Sequence, residues 1–160
     1  MNIKSLSAAL IMLAAFTIMA ACGKRDRQAG DFTAAELAMI HESDSIMRVL
    51  TIDAPSDLAV LRSLSYDLSD SALLSDDFKR LAELMVATVT HPSQDGVGIA
   101  GPQVGLNRRI VAVQRFDKEG EPFEVYPNVR IVWASDSLAA GPEGCLSVPG
   151  RRGDVLRSQE

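Results

Sequence analysis

The sequence predicts an α+β fold in which helices come first and antiparallel strands follow. Two observations carry this reading. Amphipathic helical spacing ends at His91-Pro92, and nine of the eleven glycines and five of the seven prolines lie at or beyond Gly96, where short β-rich runs replace helices. With 160 residues and 47% hydrophobic content, the chain can build one modest core. Its 21 acidic and 16 basic residues, net charge of -5 and 5% aromatic content give no electrostatic footprint for nucleic acid, so that partner is set aside.

Residues 1–21 read as a signal peptide: Lys4 precedes a run from Leu6 to Ala21 without a charged residue, shorter than the ~20 apolar residues of a membrane span. Met19-Ala20-Ala21-Cys22 resembles a bacterial lipobox, in which Cys22 is lipidated and becomes the mature N-terminus. An ordinary cleaved signal or an uncleaved anchor is the alternative. The expectation is an exported lipoprotein, held to a membrane of the bacterial cell envelope through Cys22. Cys145 is then the remaining thiol, and it can be buried and inert, a nucleophile or a metal ligand. On cysteine count alone, burial comes first.

Residues 22–57 are expected to be a tether and an accessory helix, and residues 58–160 the main domain. Thr33-Ala34-Ala35-Glu36 has capping-box form, with Leu37, Ile40, Met47 and Leu50 as an apolar stripe and Asp53-Ala54-Pro55 as a stop. His41 reads as a solvated surface residue. Val60-Leu61-Arg62 reads as a short strand and Tyr66 to Ser71 as a polar connection. Ser75 is a good N-cap for a second amphipathic helix, with Asp76 and Asp77 in its first turn and Phe78, Leu81, Ala82, Met85 and Val89 on one face. Arg109 to Arg115 reads as a buried strand, Asp117 to Gly120 as a hairpin turn, Phe123 to Tyr126 as the return strand and Val129 to Trp133 as a further strand.

Two motifs carry the chemistry. Gly96-Val97-Gly98-Ile99-Ala100-Gly101-Pro102-Gln103 joins glycines, which let backbone approach a ligand, to the Gln103 amide. Glu143-Gly144-Cys145-Leu146-Ser147 carries the thiol. The first resembles the G-x-G-[LI]-A-A-x-Q signature of peptide deformylases, with Gly101 in place of the second Ala; the second matches their E-G-C-L-S signature. The resemblance covers roughly Leu61 to Arg157. It implies a metal-dependent hydrolase that removes N-formyl groups from peptides. Hydrolysing a formamide needs an activated water and donors for the developing oxyanion. The resemblance gives Cys145 as a ligand to Fe²⁺ or Zn²⁺, and Gln103 and the backbone N–H of Leu146 as oxyanion donors. Val97, Gly98 and Glu143 become the substrate-binding residues for a formylated peptide.

The third signature of that family, H-E-x-D-H on a central C-terminal helix, is not found in these residues, whose two histidines, His41 and His91, both precede Cys145. The expectation is therefore a partial, truncated domain that is by itself inactive and aggregation-prone and does not hold metal stably. A non-catalytic, lipid-anchored peptide-binding descendant is the alternative. A Cys145/His91 nucleophile pair has no local sequence support.

Overall fold

A computed structural model describes residues 29–159. The expected signal peptide and Cys22 lie outside the described residues. The element order is α1 (Ala34–Glu42), α2 (Pro55–Leu61), α3 (Asp70–Leu73), α4 (Asp76–Thr90), β1 (Gly98–Ala100), a 3-10 turn (Gly101–Val104), β2 (Ile110–Gln114), β3 (Phe123–Pro127), β4 (Leu138–Cys145) and β5 (Val148–Ser158). Helices precede antiparallel strands, so the α+β class holds. The strands form two separate sheets, β1-β2-β3 and β4-β5.

The capping box forms as read: Glu36 N–H donates to Thr33 Oγ1 and Thr33 N–H donates to the Glu36 carboxylate at 2.8 Å. The apolar stripe does not continue along α1, however. The helix ends at Glu42, where Ser43 Oγ donates back to the Met39 carbonyl. Met47 and Leu50 are still buried, but from an extended strap, residues 46–51. His41 is exposed, with Nε2 2.8 Å from an Asp77 carboxylate oxygen.

Pro55 is the first residue of α2, not a stop, because proline's fixed φ suits the opening turn of a helix. Val60 and Leu61 are therefore the end of a helix and not a strand. α4 begins at the Ser75 cap and ends at an extended His91, both as the sequence predicts. Its inner face places Leu81, Leu84, Met85 and Val89 in a core with Ile40, Ile99, Leu106 and Ile110. The strand expected at Val129–Trp133 does not form. A strand exists through its ladder partner, and beyond a single bond from Val129 N–H to the Arg109 carbonyl at 3.3 Å no described backbone forms a ladder with this stretch, where Ile131 and Val132 are 90% and 93% exposed. The longer hairpin β4–β5 follows it instead.

One buried ion pair ties the N-terminal segment to this core. The Arg108 guanidinium, 7% exposed as a residue, donates to both Glu36 carboxylate oxygens at 2.7 and 2.8 Å and to the carbonyls of Gly30, Asp31 and Asp67. Burial pushes the Glu36 carboxyl up, but the hydrogen bonds from Arg108 and Thr33 outweigh it and hold the group below its ordinary value of 4.5. A depressed carboxyl stabilises the fold above its unfolded value and loses that contribution as pH falls through its folded value. Glu36→Ala, which strands a buried guanidinium, should cost about 3 kcal/mol of stability, read from chemical denaturation by helical circular dichroism. Glu36→Gln should flatten the loss of stability of the wild-type chain as pH drops below 4.5; an unchanged acid limb would show that the pair does not contribute.

Candidate active site

The first motif leaves α4 through a short turn and enters an edge strand. Gly96 N–H donates to the Val89 carbonyl at 2.9 Å, and a Cβ on Gly96 would lie 3.0 Å from both Val89 and Leu146 side-chain carbons. The missing side chain is what lets the first motif lie against Leu146 of the second. In β1, Gln114 N–H donates to the Val97 carbonyl, and Gly98 stands opposite Val113. Antiparallel alternation then turns the N–H and C=O of Gly98 to the open edge of the sheet. Val97 itself is 59% exposed, with its carbonyl already used inside the sheet.

Gln103 lies in the 3-10 turn, which ends at Gly105 with a φ of 90° that glycine adopts without strain. Its Oε1 accepts from Ala100 N–H at 2.9 Å, so the NH₂ end must face the other way. There Nε2 donates to Ser147 Oγ at 3.2 Å and stands 4.0 Å from Cys145 Sγ. Ser147, absent from the sequence-derived site, is buried and becomes the anchor of the amide. Its place directly inside the second motif was the available signal.

Cys145 ends β4 where the β4–β5 register shifts between Gly144 and Cys145, a bulge that re-aims a side chain. The thiol is exposed and unoxidised, against the expectation of burial from cysteine count, because it sits at the rim of the hairpin and not under it. Leu146 is half-buried and packs against the core. Glu143 is not brought to the cleft: its carboxylate makes two 2.8 Å hydrogen bonds to Arg157, which hold it below the ordinary glutamate value.

An open cleft of about 860 Å³ runs between the two motifs, with Ser93 to Gly98 on one side and Gly144 to Leu146 and Val148 to Arg152 on the other. The strap and Ile52, the residue that follows it, bind both motifs, through Leu50 N–H to the Gln103 carbonyl at 2.8 Å and Ile52 N–H to the Ser147 carbonyl at 2.9 Å. Among the described residues no three His, Cys, Asp or Glu side chains gather to hold a metal ion. His91 Nδ1 is engaged with Ser93 Oγ at 2.8 Å. These residues offer a metal one soft ligand, Cys145, whereas a catalytic zinc takes three protein ligands. They do not by themselves fit the site that the resemblance implies.

The polypeptide deformylase family model matches residues 46–160, which spans both motifs and the strap. The chain belongs to the peptide deformylase family. It is 36% identical over 121 residues to the peptide deformylase of Leptospira biflexa serovar Patoc, an alignment covering 71% of this chain and 64% of that relative. The chain thus spans less than two thirds of that deformylase's length. Its fold is similar to a ligand-bound crystal structure of the class I type b peptide deformylase from Acinetobacter baumannii, with a TM-score of 0.63, 32% identity and 72% coverage of each chain. A second crystal structure of that deformylase, bound to Met-Ala-Ser, matches with a TM-score of 0.60 and 31% identity over 71% of this chain and 72% of that one.

Gly101 departs from the deformylase signature, and the packing around it gives a reason. A Cβ there would lie 2.7 Å from the Arg108 carbonyl, 2.8 Å from the Leu106 carbonyl and 2.9 Å from Ile110 Cγ2. Gly101→Ala, which restores the usual signature, should therefore destabilise this chain by about 1–3 kcal/mol, the range for overpacking. Thermal or urea denaturation checks this, and a neutral or stabilising result would show that the Leu106–Arg108 turn moves aside freely.

Proposed function

We propose that this chain supplies the peptide cleft and the oxyanion side of a deformylase centre, acting on the N-terminal formamide of a formylated peptide. The observation that carries the reading is the Gln103 amide, whose oxygen is held by Ala100 N–H so that Nε2 faces Cys145 and Ser147. A substrate chain added along the open edge at Gly98 would use main-chain hydrogen bonds and leave side-chain identity to the cleft walls. With the formyl carbon near Cys145, Gln103 Nε2 and the Leu146 backbone N–H are the donors for its oxygen. Cys145 would be one thiolate ligand if Fe²⁺ or Zn²⁺ were held here, and such a metal would supply an activated water.

A second reading is favoured by the ligand set. Gln103 Nε2 stands 4.0 Å from the Sγ of Cys145, which lines the cleft, while Cys145 has no companion ligands among the described residues. In this reading the chain binds formylated peptides without hydrolysing them. Titration calorimetry of the full chain with formyl-Met-Ala-Ser and with Met-Ala-Ser tests both. The formylated peptide should bind more tightly, and Gln103→Ala should weaken it by about tenfold, the worth of one lost hydrogen bond. Equal affinity for the two peptides would reject the cleft reading. Added Fe²⁺ or Zn²⁺ should stay well below one per chain, with no formate released. Stoichiometric metal with formate release would assign hydrolysis to this chain and remove the non-catalytic reading.

For the address, we propose that Cys22 is the lipidated N-terminus of the mature protein, so that the formylated peptides it meets lie beyond the cytoplasm. The apolar run before Cys22 and the small residues beside it support this. Mass spectrometry of the protein from a bacterial membrane fraction should find Cys22 first and acylated; an unmodified Cys22 would end this proposal.

A further inference from the structure

Among the described residues most arginines are occupied. Arg48, Arg108, Arg109, Arg115, Arg130 and Arg157 each pair with a carboxylate. Arg80 is spent on the Ile40 and Ser43 carbonyls. Arg62, which does not line the cleft, has no such side-chain partner among the described residues, and Arg151 and Arg152 have none either. Both of the latter line the cleft. Asp95 is the one carboxylate lining the same cleft, and it pairs with neither.

Their placement is set by the hairpin. Arg152 stands opposite Gly144 in the β4–β5 register, and a Cβ on Gly144 would lie 3.6 Å from Arg152 Cγ and 3.8 Å from Nε. The Arg152 side chain therefore runs past Gly144, the residue next to Cys145. Arg151 follows Gly150 of β5, which has a φ of 70°. Two arginines in the lining of one cleft, on a chain of net charge -5, are a local reversal of sign. Guanidinium presents a planar fork of donors that matches a carboxylate.

Resting on the peptide-cleft reading above, we infer that Arg151 and Arg152 select peptides carrying a carboxylate close behind the formylated residue. That carboxylate can come from an acidic side chain at the second position or from the C-terminus of a short peptide. The two sources share one chemistry. The contribution is electrostatic and exposed, so it falls as salt rises.

Titration calorimetry on the full chain separates these cases, with formyl-Met-Ala-Ser-amide as the neutral reference. Formyl-Met-Asp-Ser-amide tests the side chain, and formyl-Met-Ala-Ser with a free C-terminus tests the terminal carboxylate. At least one of the two should bind about threefold to tenfold more tightly than the reference, with most of that advantage lost in 0.5 M NaCl, a concentration that shortens the screening length to roughly 4 Å. Arg151→Gln/Arg152→Gln should abolish the advantage while the reference peptide still binds. Arg151→Glu/Arg152→Glu should instead favour formyl-Met-Lys-Ser-amide, a gain that misfolding cannot produce. Reference binding with no carboxylate advantage would overturn this inference and leave the cleft reading standing. Failure of all the peptides to bind would overturn both.

Discussion

The structure depends on one buried cation. Arg108 has five N–H donors, and all five are used: two on the Glu36 carboxylate and three on the carbonyls of Gly30, Asp31 and Asp67. A guanidinium taken out of water is tolerable only when every donor finds such a partner. The same residue's backbone closes over Gly101, at the start of the turn that carries Gln103. The charge that gathers the N-terminal segment is therefore bonded, a few atoms away, to the wall that shapes the candidate site. Asp67 extends the arrangement by pairing with Arg109 and Arg130, the first of these adjacent to Arg108.

The site joins two regions of unequal support. Gln103 stands on the packed core, with Val104 buried beside it. Cys145 stands at the end of a two-stranded hairpin whose residues are largely exposed, and such a hairpin has little stability of its own in water. What fastens the hairpin's base is the buried Ser147, held through its hydroxyl to Gln103 and through its carbonyl to Ile52. Leu146 adds an apolar foot against the core. Ile131, Val132 and Trp133, lying between the two sheets in sequence, expose an apolar run to solvent.

Much of this was legible in the residues, for local reasons. The Ser75 cap, the acidic first turn and the apolar spacing of α4 act within a few residues of one another, and so did the capping box at Thr33. Both site motifs were found through their resemblance to the two deformylase signatures, since glycines beside a polar side chain are common in turns. Errors came where one local sign has two meanings. Pro55 opens a helix as readily as it follows one, and the β-prone run from Val129 to Trp133 has no ladder partner to make it a strand. Arg108 was not legible at all: a charged residue before a strand looks like surface until the chain folds five acceptors around it. The function of Ser147, and the cleft position of Arg151 and Arg152, likewise depend on the β4–β5 register, which no local pattern specifies.

The strap has a consequence for distance. Leu50 and Ile52 each donate one backbone hydrogen bond, the first to the motif of Gln103 and the second to the motif of Cys145. Two residues of chain span at most about 7 Å. The carbonyls of Gln103 and Ser147 are thereby linked through that span and two hydrogen bonds of 2.8 and 2.9 Å, whatever the hairpin's free end does. The strap is a ruler: the length of one tripeptide limits how far apart the backbones of the two motifs can stand.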